Sequence, residues 1–230
     1  MLEIRNLDAS YGDTQVLRGI SLEVREGEVV TLIGRNGAGK STTMKSIMGD
    51  IPRRSGSITF KGQEIIALGS ERICKLGIGY VPEDRGMFGT LSVLENLTIA
   101  KPQNATAWPL ERIFGLFPAL KARAHQRATS LSGGEQQMLA IARPLYMGSS
   151  FLLLDEPTEG LAPVIIDAIG RVVSELKKAG LTVLLVEQNL PFATSVADRH
   201  NLMENGRIIR TMSNDEVIRE ENELLAHLGV

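Results

Sequence analysis

The chain has 230 residues, 43% hydrophobic and 23% charged, which gives it apolar side chains for a large core and too many of them for a disordered polymer. Its 25 Lys plus Arg against 27 Asp plus Glu leave a formal charge of -2, so nothing electrostatic points to a nucleic acid partner. The single cysteine, Cys74, excludes an internal disulfide, a cysteine metal cluster and a redox pair, and fits a reducing compartment.

Met1 to Tyr11 alternates polar and apolar residues as a strand does, without the basic start and apolar stretch of an export signal. Strand-like runs at Leu2 to Ala9, Ser21 to Val24 and Ser57 to Phe60, separated by Gly-rich turns, predict an antiparallel element. Between them Val29 to Ile33 reads as a buried strand and Thr42 to Met48 as the helix after it. Val93 to Ala100 and Leu110 to Ala124 read as helices with no strand between them, so residues from about 84 to 130 are predicted to form a helical insertion. Pro144 predicts a kink or an early helix end. A strand at Phe151 to Leu154, a helix from Pro163 to Ala179, a strand at Leu181 to Val186 and a helix from Asp215 to Leu228 complete the order. Alternating strands and helices predict one α/β domain over 1–230, with a mostly parallel core sheet beside an antiparallel β subdomain. The longest apolar runs have strand length, far below the roughly 20 residues of a spanning helix, so a membrane role requires a partner.

Gly34-Arg35-Asn36-Gly37-Ala38-Gly39-Lys40-Ser41 has two glycines at the ends of a six-residue span, followed at once by Lys and Ser. A loop of this pattern between a buried strand and a helix aims backbone N–H groups and a helix N-terminus at bound phosphate. Asn36, Gly37, Ala38, Gly39, Lys40, Ser41 and Thr42 are therefore candidate nucleotide-binding residues, with Lys40 on the β and γ phosphates and the Ser41 hydroxyl on magnesium. The spacing is not G-x-G-x-x-G, which argues against a dinucleotide fold. The strand Phe151 to Leu154 ends in Asp155 and Glu156, at the carboxyl edge where such sheets bind ligands. Asp155 suits a magnesium ligand, and Glu156 suits the group that orients or deprotonates attacking water. Taken alone, such a pair is more often a solvated strand end.

Leu131-Ser132-Gly133-Gly134-Glu135-Gln136-Gln137 contains a capping box, Ser132 with Glu135, ahead of the apolar run Met138 to Ala142. The box leaves Gly133 and Gly134 unexplained; they suit close backbone approach to a phosphate. Here the chain resembles the ATP-binding-cassette (ABC) ATPases, whose signature is LSGGQ, with Glu135 at the final position. The resemblance spans essentially the full chain and implies an ATPase with a P-loop NTPase core, using ATP and Mg2+. It implies that Ser132, Gly133 and Gly134 bind ATP held by an opposing subunit, so that two composite sites form across a dimer. Tyr11, with Val16 beside it, matches the aromatic that stacks on adenine, although a Tyr at a strand end is equally often core. Thr158 to Leu161 matches the loop that crosses to the partner.

Two positions depart from the family pattern. Glu83 stands where most members have a Gln that senses magnesium, and Gln188 stands where most have a His that contacts the γ-phosphate. Gln188 can still donate a hydrogen bond without charge. Val81-Pro82-Glu83, Thr158-Glu159-Gly160-Leu161-Ala162-Pro163 and Val186-Glu187-Gln188-Asn189 resemble the smaller ATPase of branched-chain amino acid importers. That resemblance implies two permeases, a sister ATPase or a second copy as dimer partner, an indirect solute-binding protein, and a peripheral place on the cytoplasmic face of the inner membrane. Relatives with these motifs also serve urea, amides or aromatic acids. A cluster-assembly scaffold ATPase and a small-molecule kinase are the other readings, the latter leaving Ser132 to Gly134 without a purpose. Phe88, Leu91 and Val93 to Leu97 are candidates for the groove that receives a permease helix, or are ordinary helix core.

Overall fold

The computed structural model describes residues 1–228, so the last two positions of the 1–230 domain lie outside the described residues. Two strands, β1 (Leu2–Tyr11) and β2 (Thr14–Val24), open the chain, and β3 (Val29–Ile33) leads into α1 (Lys40–Ile47). Then come β4 (Arg53–Phe60), β5 (Gln63–Glu64), α2 (Ser70–Lys75) and β6 (Ile78–Val81). A helical stretch holds α3 (Val93–Thr98), α4 (Leu110–Leu116), α5 (Pro118–Ala122) and α6 (Gly133–Met147). The chain continues through β7 (Phe151–Asp155), α7 (Pro163–Lys178), β8 (Thr182–Glu187) and α8 (Leu190–Val196). It closes on β9 (Arg199–Glu204), β10 (Arg207–Ser213), α9 (Asn214–Arg219) and α10 (Glu221–Leu228).

The strands form two sheets, an antiparallel one in the order β2-β1-β4-β5 and a second in the order β10-β9-β3-β8-β7-β6. All pairings of the second sheet are parallel except that of β10 with β9. In β1 the buried positions are Leu2 and Ile4, then Leu7 and Ala9. A strict two-residue period would send the second pair to the solvent face. Asn6, at φ 48°, makes a bulge there and restores the phase.

The parallel strands are covered on both sides, which is why they read as continuous apolar runs. Phe151, Leu153, Leu184 and Val186 pack with α1 and the antiparallel sheet. Leu152, Leu154, Val183 and Leu185 pack with α3 to α7. The mostly parallel α/β core, antiparallel sheet and helical stretch agree with the fold class predicted from the sequence.

Several elements differ from the sequence prediction. The helix predicted over Leu110 to Ala124 is broken at Phe117, because Pro118 starts α5 and disfavours helical backbone in the residue before it. The predicted Asp215 to Leu228 helix is likewise two, interrupted at Glu220. Pro144 does not end α6 early; the helix runs to Met147 and stops at Gly148, which has φ 96°. Pro144 packs so closely on β6 that a side chain on Gly79 would lie 2.4 Å from its Cβ. Val93 and Leu97 are fully buried core residues of α3, whereas Phe88 is exposed with the Arg143 guanidinium over its ring.

No local sequence pattern predicts α8, β9 or β10. Strand β9 reads Arg-His-Asn-Leu-Met-Glu, and its central polar pair, His200 and Asn201, is buried because both side chains bond to neighbouring protein groups rather than to water. Asn201 accepts from the Thr211 hydroxyl and donates to the Thr31 carbonyl. His200 Nε2 lies 2.9 Å from the Asn214 side-chain oxygen, which fixes the proton on Nε2 and leaves Nδ1 to accept from the Thr31 hydroxyl at 2.7 Å. Burial lowers the His200 pKa, against the opposing influence of Asn214 and Asp198. The contribution of neutral His200 is therefore complete above the ordinary histidine value of about 6.5 and is lost as pH falls toward the lowered folded value. Denaturant unfolding at pH 7.5 and 5.5 is expected to show a larger loss of stability in the wild type than in His200→Gln. Equal losses would remove His200 as a titrating lock between β3 and β9.

Candidate functional site

Because β3, β6, β7 and β8 run parallel, their carboxyl ends emerge at one edge. Register aligns them: Ile33 lies opposite Glu187, Asp155 opposite Val186, and Val81 opposite Leu154. The phosphate loop follows β3 and requires its glycines for separate reasons. Gly37 and Gly39 have φ of 79° and 107°, and a side chain on Gly34 would meet the Met203 carbonyl at 2.3 Å.

Lys40 opens α1 and is 4% exposed. Its ammonium donates to the carbonyls of Gly34 (2.8 Å) and Arg35 (3.2 Å) and lies 3.3 Å from Glu156 Oε1. The loop thus curls around a buried cation held by two backbone carbonyls and one carboxylate oxygen. Ser41 Oγ donates to Asp155 Oδ1 at 3.0 Å, and the Tyr80 hydroxyl donates to Asp155 Oδ2 at 2.9 Å. Burial raises the Asp155 pKa, opposed by those two hydroxyls, and burial together with Asp155 raises that of Tyr80.

Glu156 has φ 46°, a left-handed conformation that costs a residue with a Cβ roughly 1–3 kcal/mol. Its N–H donates to the Val186 carbonyl at 3.0 Å, and its Oε2 accepts from Gln188 Nε2 at 2.7 Å. Behind this pair lies Glu187, 2% exposed. It accepts from the Thr158 hydroxyl at 2.8 Å and from the N–H groups of Gln188 and Asn189, both at 3.2 Å. Burial pushes the Glu187 carboxyl up to about 7, despite those donors.

Of the residues expected at the site, Val16, Asn36, Gly37, Gly39, Lys40, Ser41, Thr42, Glu83, Glu156 and Gln188 line one cavity of 390 Å³, joined by Glu159. Asp155 lines an adjoining cavity of 440 Å³ together with Ser41, Tyr80 and Glu83. Ala38 points instead into a hollow beside Met203 and Asn205. Tyr11 does not line the phosphate cavity, and it is no core residue either: it ends β1 at 46% exposure. A larger cavity of 860 Å³ between α7 and α8 contains none of these residues.

Ser132, Gly133 and Gly134 also stand apart from the phosphate cavity, at the N-terminus of α6. The capping box is present: Ser132 Oγ accepts from the Glu135 N–H, and Glu135 Oε2 accepts from the Ser132 N–H. Gly134 has a packing role that the sequence reading missed. A side chain there would lie 2.5 Å from Ile165 Cγ2, so its absence lets α6 sit against the first turn of α7. Tyr80 and Glu187 were also missed as site residues, and Thr158 was placed only in the loop that crosses to the partner. Glu187 had a usable signal, since it is an acid ending an apolar strand, the same pattern that singled out Asp155.

A phosphate loop between a buried parallel strand and a helix, facing an acidic pair at the end of β7, which lies beyond β8 in the same sheet, defines a P-loop nucleoside triphosphatase. The sequence matches the ABC transporter family over residues 17–159, and the chain belongs to that family. It is 43% identical, over the whole of both chains, to the high-affinity branched-chain amino acid transport ATP-binding protein BraG of Pseudomonas aeruginosa. A probable branched-chain amino acid transport ATP-binding protein, LivF of Archaeoglobus fulgidus, is 36% identical across 96% of this chain and 95% of its own. The lipopolysaccharide export system ATP-binding protein LptB of Escherichia coli is 33% identical across 99% and 97%. A solved structure of the ATP-binding subunit of an ABC transporter superposes with a TM-score of 0.86 over the full length of both chains at 29% identity. The chain is thus an ATP-binding and ATP-hydrolysing cassette.

The Gly134 contact is open to direct test. Gly134→Ala is expected to destabilise the fold by about 1–3 kcal/mol, as overpacking does. Ile165→Ala in the same chain should recover part of that loss in the melting temperature. Additive losses in the double variant would show that the two residues do not compete for one space.

Proposed function

We propose that this chain is the motor of an importer for branched-chain or other hydrophobic amino acids, acting through membrane permeases. The observation that carries the catalytic part is the convergence of Lys40, Glu156 and Gln188 on one cavity, with Ser41 and Asp155 bonded to each other beside it. The triphosphate would lie along the phosphate loop, giving the Lys40 ammonium stronger acceptors than the two carbonyls and the Glu156 oxygen it now holds. Glu156, released from that cation and oriented by the Gln188 amide, would position and deprotonate the attacking water. Tyr11, exposed at the end of β1, is accessible for stacking on the base beyond Val16.

The Ser41 hydroxyl and Asp155 carboxylate are hard oxygen donors 3.0 Å apart, and Glu83 shares both adjoining cavities with Ser41. That donor set fits Mg2+, which takes few protein ligands and completes its shell with phosphate and water. The ion would supply positive charge to the phosphates and to a carboxylate that burial otherwise penalises.

The separation of Ser132 and Gly133 from their own chain's cavity supports a composite site completed by a second cassette, either a copy or a sister subunit. With Gly134 buried against Ile165, the N-cap Ser132 is the exposed member of the motif available to a partner's nucleotide. Among the described residues no helix is long and apolar enough to cross a membrane. Attachment to the cytoplasmic face of the membrane would come through two permeases, and solute selection through them and a binding protein. Exposed Phe88 is the residue best placed for a permease helix. The solute class rests on similarity to BraG, which exceeds similarity to the export protein LptB.

Two experiments test the proposal. Glu156→Gln should keep ATP affinity, lower turnover by about 100-fold or more and accumulate an ATP-bound dimer in size-exclusion chromatography. Full turnover would remove Glu156 as the base. Purification from the native membrane in mild detergent should bring down two permeases, and ATPase of that assembly should rise with leucine, isoleucine or valine. Stimulation by urea, amides or aromatic acids instead would change the solute, and recovery of soluble companions alone would favour a scaffold ATPase.

A further inference from the structure

Beyond the end of the ladder between β7 and β8, where Asp155 faces Val186, the two segments stay tied to each other by one backbone bond and by side chains. The Glu156 N–H bonds back to Val186, Gln188 Nε2 holds Glu156 Oε2, and the Thr158 hydroxyl holds Glu187 Oε1. Glu187 Oε2 accepts from the backbone N–H groups of Gln188 and Asn189. The bonds close a ring that runs from Glu156 through Pro157 and Thr158, across to Glu187, and back through Gln188 to Glu156. Within it Glu156 keeps a left-handed backbone that a non-glycine residue adopts only when its surroundings over-determine it.

Glu187 is the residue on which both halves of the ring meet. It is buried, and among the described residues it forms no ion pair. A carboxylate kept out of water with hydroxyl and amide donors as its partners is an expensive way to fill a core position. Its oxygens are committed on one side to the segment after Glu156 and on the other to the backbone that carries Gln188. We infer that Glu187 is a positioning residue for hydrolysis: it locks Thr158 and Gln188 together and so holds the Glu156 carboxylate in place. The inference rests on the reading of Glu156 as the group that activates water.

The test uses the full-length chain and compares Thr158→Val, Glu187→Gln, Glu187→Ala and the double variant Thr158→Val with Glu187→Ala. Thr158→Val keeps shape and removes one bond of the ring. It is expected to lower kcat about tenfold, the size of one such interaction, with KM for ATP and nucleotide affinity within about twofold. Glu187→Gln keeps an acceptor for the two backbone N–H groups and can turn its amide toward Thr158, so it should retain more kcat than Glu187→Ala. The double variant should be no slower than Glu187→Ala alone, because both changes open the same ring. Unchanged kcat in Thr158→Val and in a folded Glu187→Ala would overturn the inference. So would losses of kcat and nucleotide affinity that simply follow the melting temperature. If Glu187→Ala does not fold, Thr158→Val and Glu187→Gln decide by the same split between kcat and KM. Glu156→Gln is run alongside: if it hydrolyses ATP normally, the reading of Glu156 falls and takes this one with it, whereas inactive Glu156→Gln beside fully active ring variants overturns the role of Glu187 alone.

Discussion

Strands that are parallel and buried on both faces cannot offer side chains to a ligand along their length; only their ends are free. In this chain the constraint acts on β3, β7 and β8, whose residues are all buried and whose register sets Ile33 opposite Glu187 and Asp155 opposite Val186, one residue short of Glu187. The phosphate loop, the acidic pair and the Gln188 segment therefore converge without any long-range folding of loops. Everything else serves that edge. The antiparallel sheet and α1 cover one face, α3 to α7 cover the other, and the polar network around His200 fastens β9 beside the strand that carries the loop.

What the sequence made legible follows from this geometry. Apolar runs with abrupt polar ends, such as Phe151 to Leu154 before Asp155, announce themselves because two-sided burial leaves little room for polar positions. Strand β9 was illegible for the complementary reason. Its buried His200 and Asn201 satisfy their hydrogen bonds against Thr31, Thr211 and Asn214, partners up to 170 residues away in the chain that no local pattern reveals. Breaks in helices were partly visible: Pro118 starts a helix as its ring favours, but Pro144 is tolerated in the last turn of α6, where the helix ends within one turn anyway.

The signature segment shows how one residue type can answer to two demands. From sequence alone Gly133 and Gly134 suited backbone approach to a phosphate. The fold gives Gly134 a sufficient reason to be glycine in its contact with Ile165, while Gly133 meets Leu161 and the Arg85 guanidinium only at 3.3 Å and beyond. Packing of α6 on α7 and presentation of Ser132 at the helix start are thus linked, since the same helix terminus is fixed by the capping box and by the glycine contact. The loop from Thr158 to Leu161 lies between these two helices and the Glu187 carboxylate, which couples it to both.

The charges at the sheet edge are unusual in number for groups so buried: Lys40, Asp155, Glu156 and Glu187 are all largely removed from water. Replacing a buried ion pair by apolar side chains is often neutral or stabilising, so stability alone does not account for retaining them. Each is instead held by partners that fix its direction: carbonyls for Lys40, hydroxyls for Asp155, an amide for Glu156, backbone N–H groups for Glu187. Asp50, Glu83 and Asp84 line the hollow of Asp155 against one ammonium, Lys45, and a divalent cation arriving with the nucleotide would offset that shortage of positive charge at Asp155. The electrostatics thus favour a nucleotide that brings its own metal over one that comes without it, while the hydrogen bonds already set the directions in which each group can act.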